Sequence, residues 1–124
     1  MSAMIHFVTP SEVQSTREGL LARGLDLASL DGAAISDKDS LLAALGRALA
    51  FPAYYGGNWD AAEECLADLA ERRSHGYGLI VAQGGDLWQH LPREMGMLVS
   101  IWLGAGRRLA RRDIHLELVF VLEE

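Results

Sequence analysis

Asp60, Glu64, Asp68 and Glu71 recur at helical spacing, with Glu63 between them, directly behind the stretch Tyr54-Tyr55-Gly56-Gly57-Asn58. Side chains three and four apart on a helix share a face, so the run presents a row of negative charge. Such a row has two chemical uses. A pair of carboxylates can divide the roles of acid and base, or the whole row can meet the basic surface of another protein. Without either use it is a solvated helix face.

Acid–base chemistry has little support, because Asp60 and Glu64 stand one turn apart on an exposed face with nothing in the sequence to raise one pKa. The helix itself accounts for part of the row. Asn58 is a good N-cap, and Asp60, with Glu63, interacts well with the positive end of the helix dipole. Glu64, Asp68 and Glu71 lie beyond that reach. Like charges at this spacing each cost about 0.2–0.5 kcal/mol, and a purely structural helix more usually intersperses lysines. The preceding loop adds Gly56 and Gly57, which permit positive φ and close backbone approach. It also adds Tyr54 and Tyr55, rigid amphipathic rings of the kind enriched at binding hot spots. Rings, bent backbone and carboxylates in one place favour a protein-binding surface.

The remaining reactive residues point elsewhere. Cys65 is the only cysteine and reads as a small core residue, with no disulfide and no CxxC. His6, His75, His90 and His115 have no metal-ligand spacing. "GYGLI" and "QGGD" match no phosphate-binding pattern. "GRRLARR" (106–112) closes a helix whose end favours cations, and it has no interleaved aromatics. No cofactor, no metal and no direct nucleic-acid binding are expected.

The net charge of −6 has one location: residues 31–71 carry eight acidic residues against Lys38 and Arg47, and the rest of the chain sums to zero. That segment repels nucleic acid and attracts a basic partner. With 124 residues the chain suits a single domain, 1–124, able to bury a core without disulfides. It shows neither a signal-peptide pattern nor a run near 18 apolar residues, so no membrane association and a cytoplasmic location are expected.

Alternating helices and strands must position the acidic row. "MIHFV" (4–8) suits a short strand. Thr9, Pro10 and Glu12 form a capping signature for a helix that ends near Gly24. Residues 25–35 read as a strand with a turn at Asp31-Gly32. Ser36 and Asp39 form a second capping signature, ahead of Leu41, Leu42, Leu45 and Leu49, and Pro52 closes that helix. A loop (52–57) and a helix from Trp59 to Arg72 follow, the latter turning Ala62, Cys65, Leu66 and Leu69 to the core. "YGLIVAQGG" (77–85) is a buried strand, then come helices near 86–90 and 93–111, with Gly96, Gly104 and Gly106 weakening the continuity of the second. "DIHLELVFVLEE" alternates Ile114, Leu116, Leu118, Phe120 and Leu122, the clearest strand of the chain. The pattern predicts an α/β layered domain with a small, mainly parallel sheet packed by helices, its strand order unreadable.

Over residues 51–69, "FPAYYGGNWDAAEECLADL" resembles the signature of the barstar family, intracellular inhibitors of barnase-type ribonucleases, through Pro52, Tyr54-Tyr55-Gly56, Asn58, Asp60-Ala61 and Cys65-Leu66. The order of elements is collinear with that family over residues 25–124, and residues 1–24 stand outside it as an N-terminal extension. The resemblance implies a three-stranded, barstar-like sheet. It also implies a loop and acidic helix that plug a nuclease active site, with carboxylates where RNA phosphates would sit. By that resemblance the partner-binding residues are Tyr54, against the nuclease's catalytic histidine, Gly56, Asn58, Trp59, Asp60, Glu63, Glu64 at the family's central aspartate, Ala67 and Asp68. Four of these depart from the pattern: Glu64 is a methylene longer than aspartate, Trp59 replaces a smaller aliphatic residue, Glu63 a tryptophan and Ala67 a threonine. A further acidic contact from a later helix falls on Asp86 or Glu94.

The expected function is inhibition of a basic ribonuclease, by a protein that is not an enzyme and is monomeric when alone. Two alternatives stay open: a non-inhibitory interaction module of the same fold binding another basic partner, and a small hydrolase using the acidic face.

Overall fold

The computed structural model describes residues 3–123, the side chains from Met4 onward. Strand β1 (Ala3–Val8) is followed by helix α1 (Val13–Ala22), β2 (Asp26–Asp31), α2 (Lys38–Ala48), α3 (Trp59–Ala67), β3 (Gly76–Ala82), α4 (Gly84–His90), α5 (Pro92–Ala110) and β4 (His115–Val121). The four strands form one parallel sheet in the order β1-β4-β3-β2. The class is α/β, as the alternation of elements predicts.

The expected three strands become four. "MIHFV" pairs along β4, with Ile5 opposite Leu118 and Phe7 opposite Phe120, so the N-terminal extension completes the sheet that residues 25–121 begin. This makes β4 an inner strand, buried on both faces. Leu116, Leu118 and Phe120 face a core built with Leu79 and Val81 of β3 under α2 to α5, while Val119 joins Ile80, Leu25 and Leu20 of α1 on the other face. Continuous apolar sequence is the consequence of helices on both sides.

Local chemistry sets the helix ends. Glu12 accepts from the Thr9 N–H at 2.8 Å, which holds its carboxyl below the usual range and opens a 3-10 turn that runs into α1. The second cap lies one residue later than Ser36 and Asp39: Asp37 accepts from the Ser40 N–H at 2.8 Å, and the Ser40 hydroxyl accepts from the Asp37 N–H. A carboxylate is the stronger acceptor, so it takes the cap, and its own pKa is lowered by these bonds. Helix α5 runs unbroken through Gly96, Gly104 and Gly106, anchored by Met95, Leu98, Ile101, Trp102, Ala105 and Leu109. Burying that stripe outweighs the helix cost of the glycines, about 1 kcal/mol each.

Glu117 is the exception among the core residues. It sits on β4, 1% exposed, and its Oε1 accepts from Arg23 Nη1 at 2.8 Å beside His6 Nε2 at 3.3 Å. Both partners come from the N-terminal segment, which ties that segment to the centre of the sheet.

Candidate functional site

The acidic row is carried by α3 and by the turn that follows it. Ala62, Cys65 and Leu66 point into the core, which leaves Asp60, Glu64 and Asp68 exposed along the opposite side. Asn58 caps the helix as expected, its Oδ1 accepting from the Ala61 N–H at 2.8 Å. Helical geometry ends sooner than predicted: α3 stops at Ala67, and Asp68–Glu71 form a 3-10 turn. That tightening buries Leu69 and brings Arg72 back to the preceding loop, where its guanidinium donates at 2.7 Å to each of the Leu49 and Ala50 carbonyls.

The loop between α2 and α3 is held from inside by one tyrosine and presents the other. Tyr55 packs edge-on to Phe51 at 5.0 Å, donates to the Leu42 carbonyl at 3.0 Å, and lies against Gly46 of α2. Burial, reinforced by the neighbouring Cys65, pushes its phenol up to about 12. Tyr54 is 77% exposed, more than any other large apolar or aromatic side chain among the described residues. Of the two glycines only Gly57 uses positive φ, at 71°; Gly56 does not. Ala50, at φ 52°, makes the other left-handed step, steadied by Arg72.

Tyr54 and the end of the row meet at a hollow of about 360 Å³ lined by Ala50, Pro52, Tyr54, Cys65, Asp68, Glu71 and Arg72. The Cys65 thiol there is pushed up by burial and then by the charges of Asp68 and Glu64, which disfavours the thiolate. A second, polar hollow of about 230 Å³ is lined by Asp60, Glu63, Glu64 and Arg108 of α5. Glu63 is half-buried there, and its carboxylate occupies the space that a side chain at Gly104 would need. Trp59 is also half-buried, packed against the main core.

The structure therefore brings Tyr54, Asp60, Glu63, Glu64 and Asp68 to one side of the molecule, with Gly56 and Asn58 in the connecting loop and Ala67 half-buried on the helix between them. Asp86 and Glu94 line neither hollow; Asp86 borders a different one, with Gly32, Ser36 and His90. Three cations do belong: Arg72, which no local pattern marked, and Arg108 and Arg112 of the "GRRLARR" run, whose spacing marks a helix end but not a place beside the acidic row, Arg112 standing 3.9 Å from Glu71. Among the described residues no three His, Cys, Asp or Glu side chains come together as a metal site, and no helix is long and apolar enough to cross a membrane.

What the arrangement can do is offer carboxylates, an aromatic ring and exposed loop backbone to a complementary basic surface. A family model described as Barstar (barnase inhibitor) matches residues 25–121, which contain all of these groups. No curated protein matches the chain.

Proposed function

The chain belongs to the barstar family, and from that premise we propose that Tyr54, Gly56, Asn58, Trp59, Asp60, Glu63, Glu64, Ala67 and Asp68 form its inhibitory face toward a basic, barnase-type ribonuclease. The family is one of ribonuclease inhibitors, not of enzymes. The observation that carries the finer reading is the juxtaposition of an exposed Tyr54 with the solvent-facing carboxylates of Asp60, Glu64 and Asp68, inside the matched span. A cleft built to bind RNA phosphates presents cations. Carboxylates entering it make charge-assisted contacts in a desolvated setting, and the loop and ring close over the rest. The inhibitor acts by occupying the cleft, with no bond made or broken.

Arg108 gives weight to a second reading, in which the same face binds a different basic protein. It places a positive charge beside Asp60, Glu63 and Glu64, which a partner made only of cations would have to accommodate. Titration into a barnase-type ribonuclease, with RNA cleavage followed at the same time, separates the readings. Stoichiometric loss of cleavage supports the inhibitor. Binding with cleavage intact supports the interaction module, and turnover by the chain alone would indicate a hydrolase.

A further inference from the structure

We propose, on the reading of this face as inhibitory, that Arg72 is its positioning residue, one side chain that clasps the Tyr54 loop to the end of the acidic row. Arg72 terminates the 3-10 turn Asp68–Glu71, its N–H donating to the Leu69 carbonyl at 3.0 Å. Its guanidinium reaches back 23 residues to the C-terminal end of α2. There Nη1 donates to the Leu49 carbonyl and Nη2 to the Ala50 carbonyl, each at 2.7 Å. One residue therefore holds both ends of the segment that contains Tyr54, Gly56, Asn58, Asp60 and Glu64.

The end of α2 is a place that needs an outside partner. The helix closes in a Schellman turn, with the Phe51 N–H donating to the Gly46 carbonyl at 2.8 Å and the Ala50 N–H to the Arg47 carbonyl at 3.3 Å. Ala50 takes the left-handed step at φ 52°, where glycine is the usual residue because a Cβ is disfavoured. Such a conformation persists only when its surroundings hold it. The last carbonyls of a helix also lack intrahelical donors, and the dipole favours a cation beside them. A planar fork that donates to two carbonyls at once meets both needs.

The guanidinium has another option that it does not take. Asp68 and Glu71 line the same hollow as Arg72, yet among the described residues Arg72 makes no ion pair within 4 Å. Two short bonds to backbone and none to a carboxylate make it a clasp on the loop, not a counter-charge for the row. Beyond the clasp, Phe51 packs on Tyr55 and Tyr54 stands 77% exposed, so the place of the Tyr54 ring follows from where the end of α2 is held.

Arg72→Ala and Arg73→Ala separate a clasp from a charge. Arg73 is exposed and makes no ion pair among the described residues. Each substitution takes one positive charge from a chain of net charge −6, and on charge alone each should speed association with a basic ribonuclease. Arg73→Ala is expected to do so, with inhibition equal to the parent's or tighter. Arg72→Ala is expected to move the other way and weaken inhibition about tenfold or more, because the loop must then be ordered on binding. Arg72→Lys keeps the charge and loses the fork, so it should recover only part of that loss. Should Arg72→Ala not fold, Arg72→Lys alone decides, since a charge role predicts parent inhibition and a clasp predicts weaker inhibition.

Amide exchange in the free protein gives a readout that needs no partner. Phe51 and Tyr55, whose N–H groups donate to the Gly46 and Pro52 carbonyls, should exchange faster in the Arg72 variants, while Leu79 and Leu118 in the sheet keep the parent rates. Inhibition that tightens in Arg72→Ala as it does in Arg73→Ala would overturn the proposal, as would unchanged exchange at Phe51 and Tyr55. A parent chain that inhibits no ribonuclease would overturn the inhibitory reading instead, and the exchange rates would still decide whether Arg72 holds the loop.

Discussion

Gly46 of α2 and Tyr55 of the following loop are matched in shape: a methyl group at position 46 would stand 2.8 Å from Cε2 of the Tyr55 ring. The glycine weakens α2 by about 1 kcal/mol relative to alanine, and in return the ring seats against the helix and fixes the loop that carries Tyr54. Gly46→Ala is expected to change global stability little, because the gain in helix propensity offsets part of an overpacking cost of about 1–3 kcal/mol. Ribonuclease inhibition should fall at least tenfold as the loop shifts. Urea unfolding and inhibition assays measured together check this; inhibition unchanged while Tyr55 stays in place would show that the contact does not position the site.

Tyr55 also sets an alkaline limit. A free tyrosine ionises near pH 10, and burial, with Cys65 beside it, raises this phenol to about 12. The folded state holds the proton more tightly than the unfolded state. Its contribution is therefore complete below about pH 10 and is lost as the pH rises toward 12. Tyr77 is also raised, so the informative comparison is with Tyr55→Phe, whose stability should decline less steeply between pH 10 and 12. Superimposable declines for parent and variant would remove Tyr55 as the cause.

Glu117 and its partners respond asymmetrically. Removing Arg23 leaves a carboxylate that is 1% exposed with only His6 at 3.3 Å, and Arg23→Ala is expected to cost about 3 kcal/mol. Glu117→Gln should cost less, because the amide still accepts a hydrogen bond and Arg23, 47% exposed, can turn to water. Denaturant midpoints for both variants check the order. Equal, small losses would mean that the pair does not secure the N-terminal segment.

The outline of this molecule could be read from its sequence wherever a signal was periodic or chemically local. β4 declared itself through alternating Leu116, Leu118 and Phe120, α3 through Asn58 and the stripe of Ala62, Cys65 and Leu66, and the acidic row through its spacing. The place of β1 beside β4 was hidden, because a short apolar run does not name the strand it will pair with. The shift of a cap from Ser36 to Asp37 and the 3-10 turn after Ala67 are local competitions that propensity alone does not decide. Arg108, Gly46 and Gly104 were hidden for a third reason. Each acts on a residue distant in sequence, so its role exists only once the helices pack.

Salt should act mainly on encounter. If the −6 segment meets a basic cleft, its field steers association, and the Debye length falls to about 8 Å at physiological ionic strength. Stopped-flow association is expected to slow about tenfold or more from low to physiological salt, with dissociation changing less. Association rates flat with salt would take steering out of the mechanism.

The central claim is that the α3 carboxylates plug a ribonuclease cleft, and the most direct measurement compares Glu64→Ala with Glu71→Ala against a ribonuclease that the parent inhibits. Glu64 is exposed in the free protein and makes no ion pair within 4 Å among the described residues, so its removal should leave folding stability within about 0.5 kcal/mol. In a desolvated interface its loss strands the partner's cations, and binding should weaken by roughly 2 kcal/mol or more, about thirtyfold. Glu71, which lies 3.9 Å from Arg112 and is 78% exposed, would stand at the rim of such an interface, and its removal should cost well under 1 kcal/mol, mostly through slower association. A large loss at Glu64 beside a small one at Glu71 is the predicted result; equal and small losses at both would contradict the account.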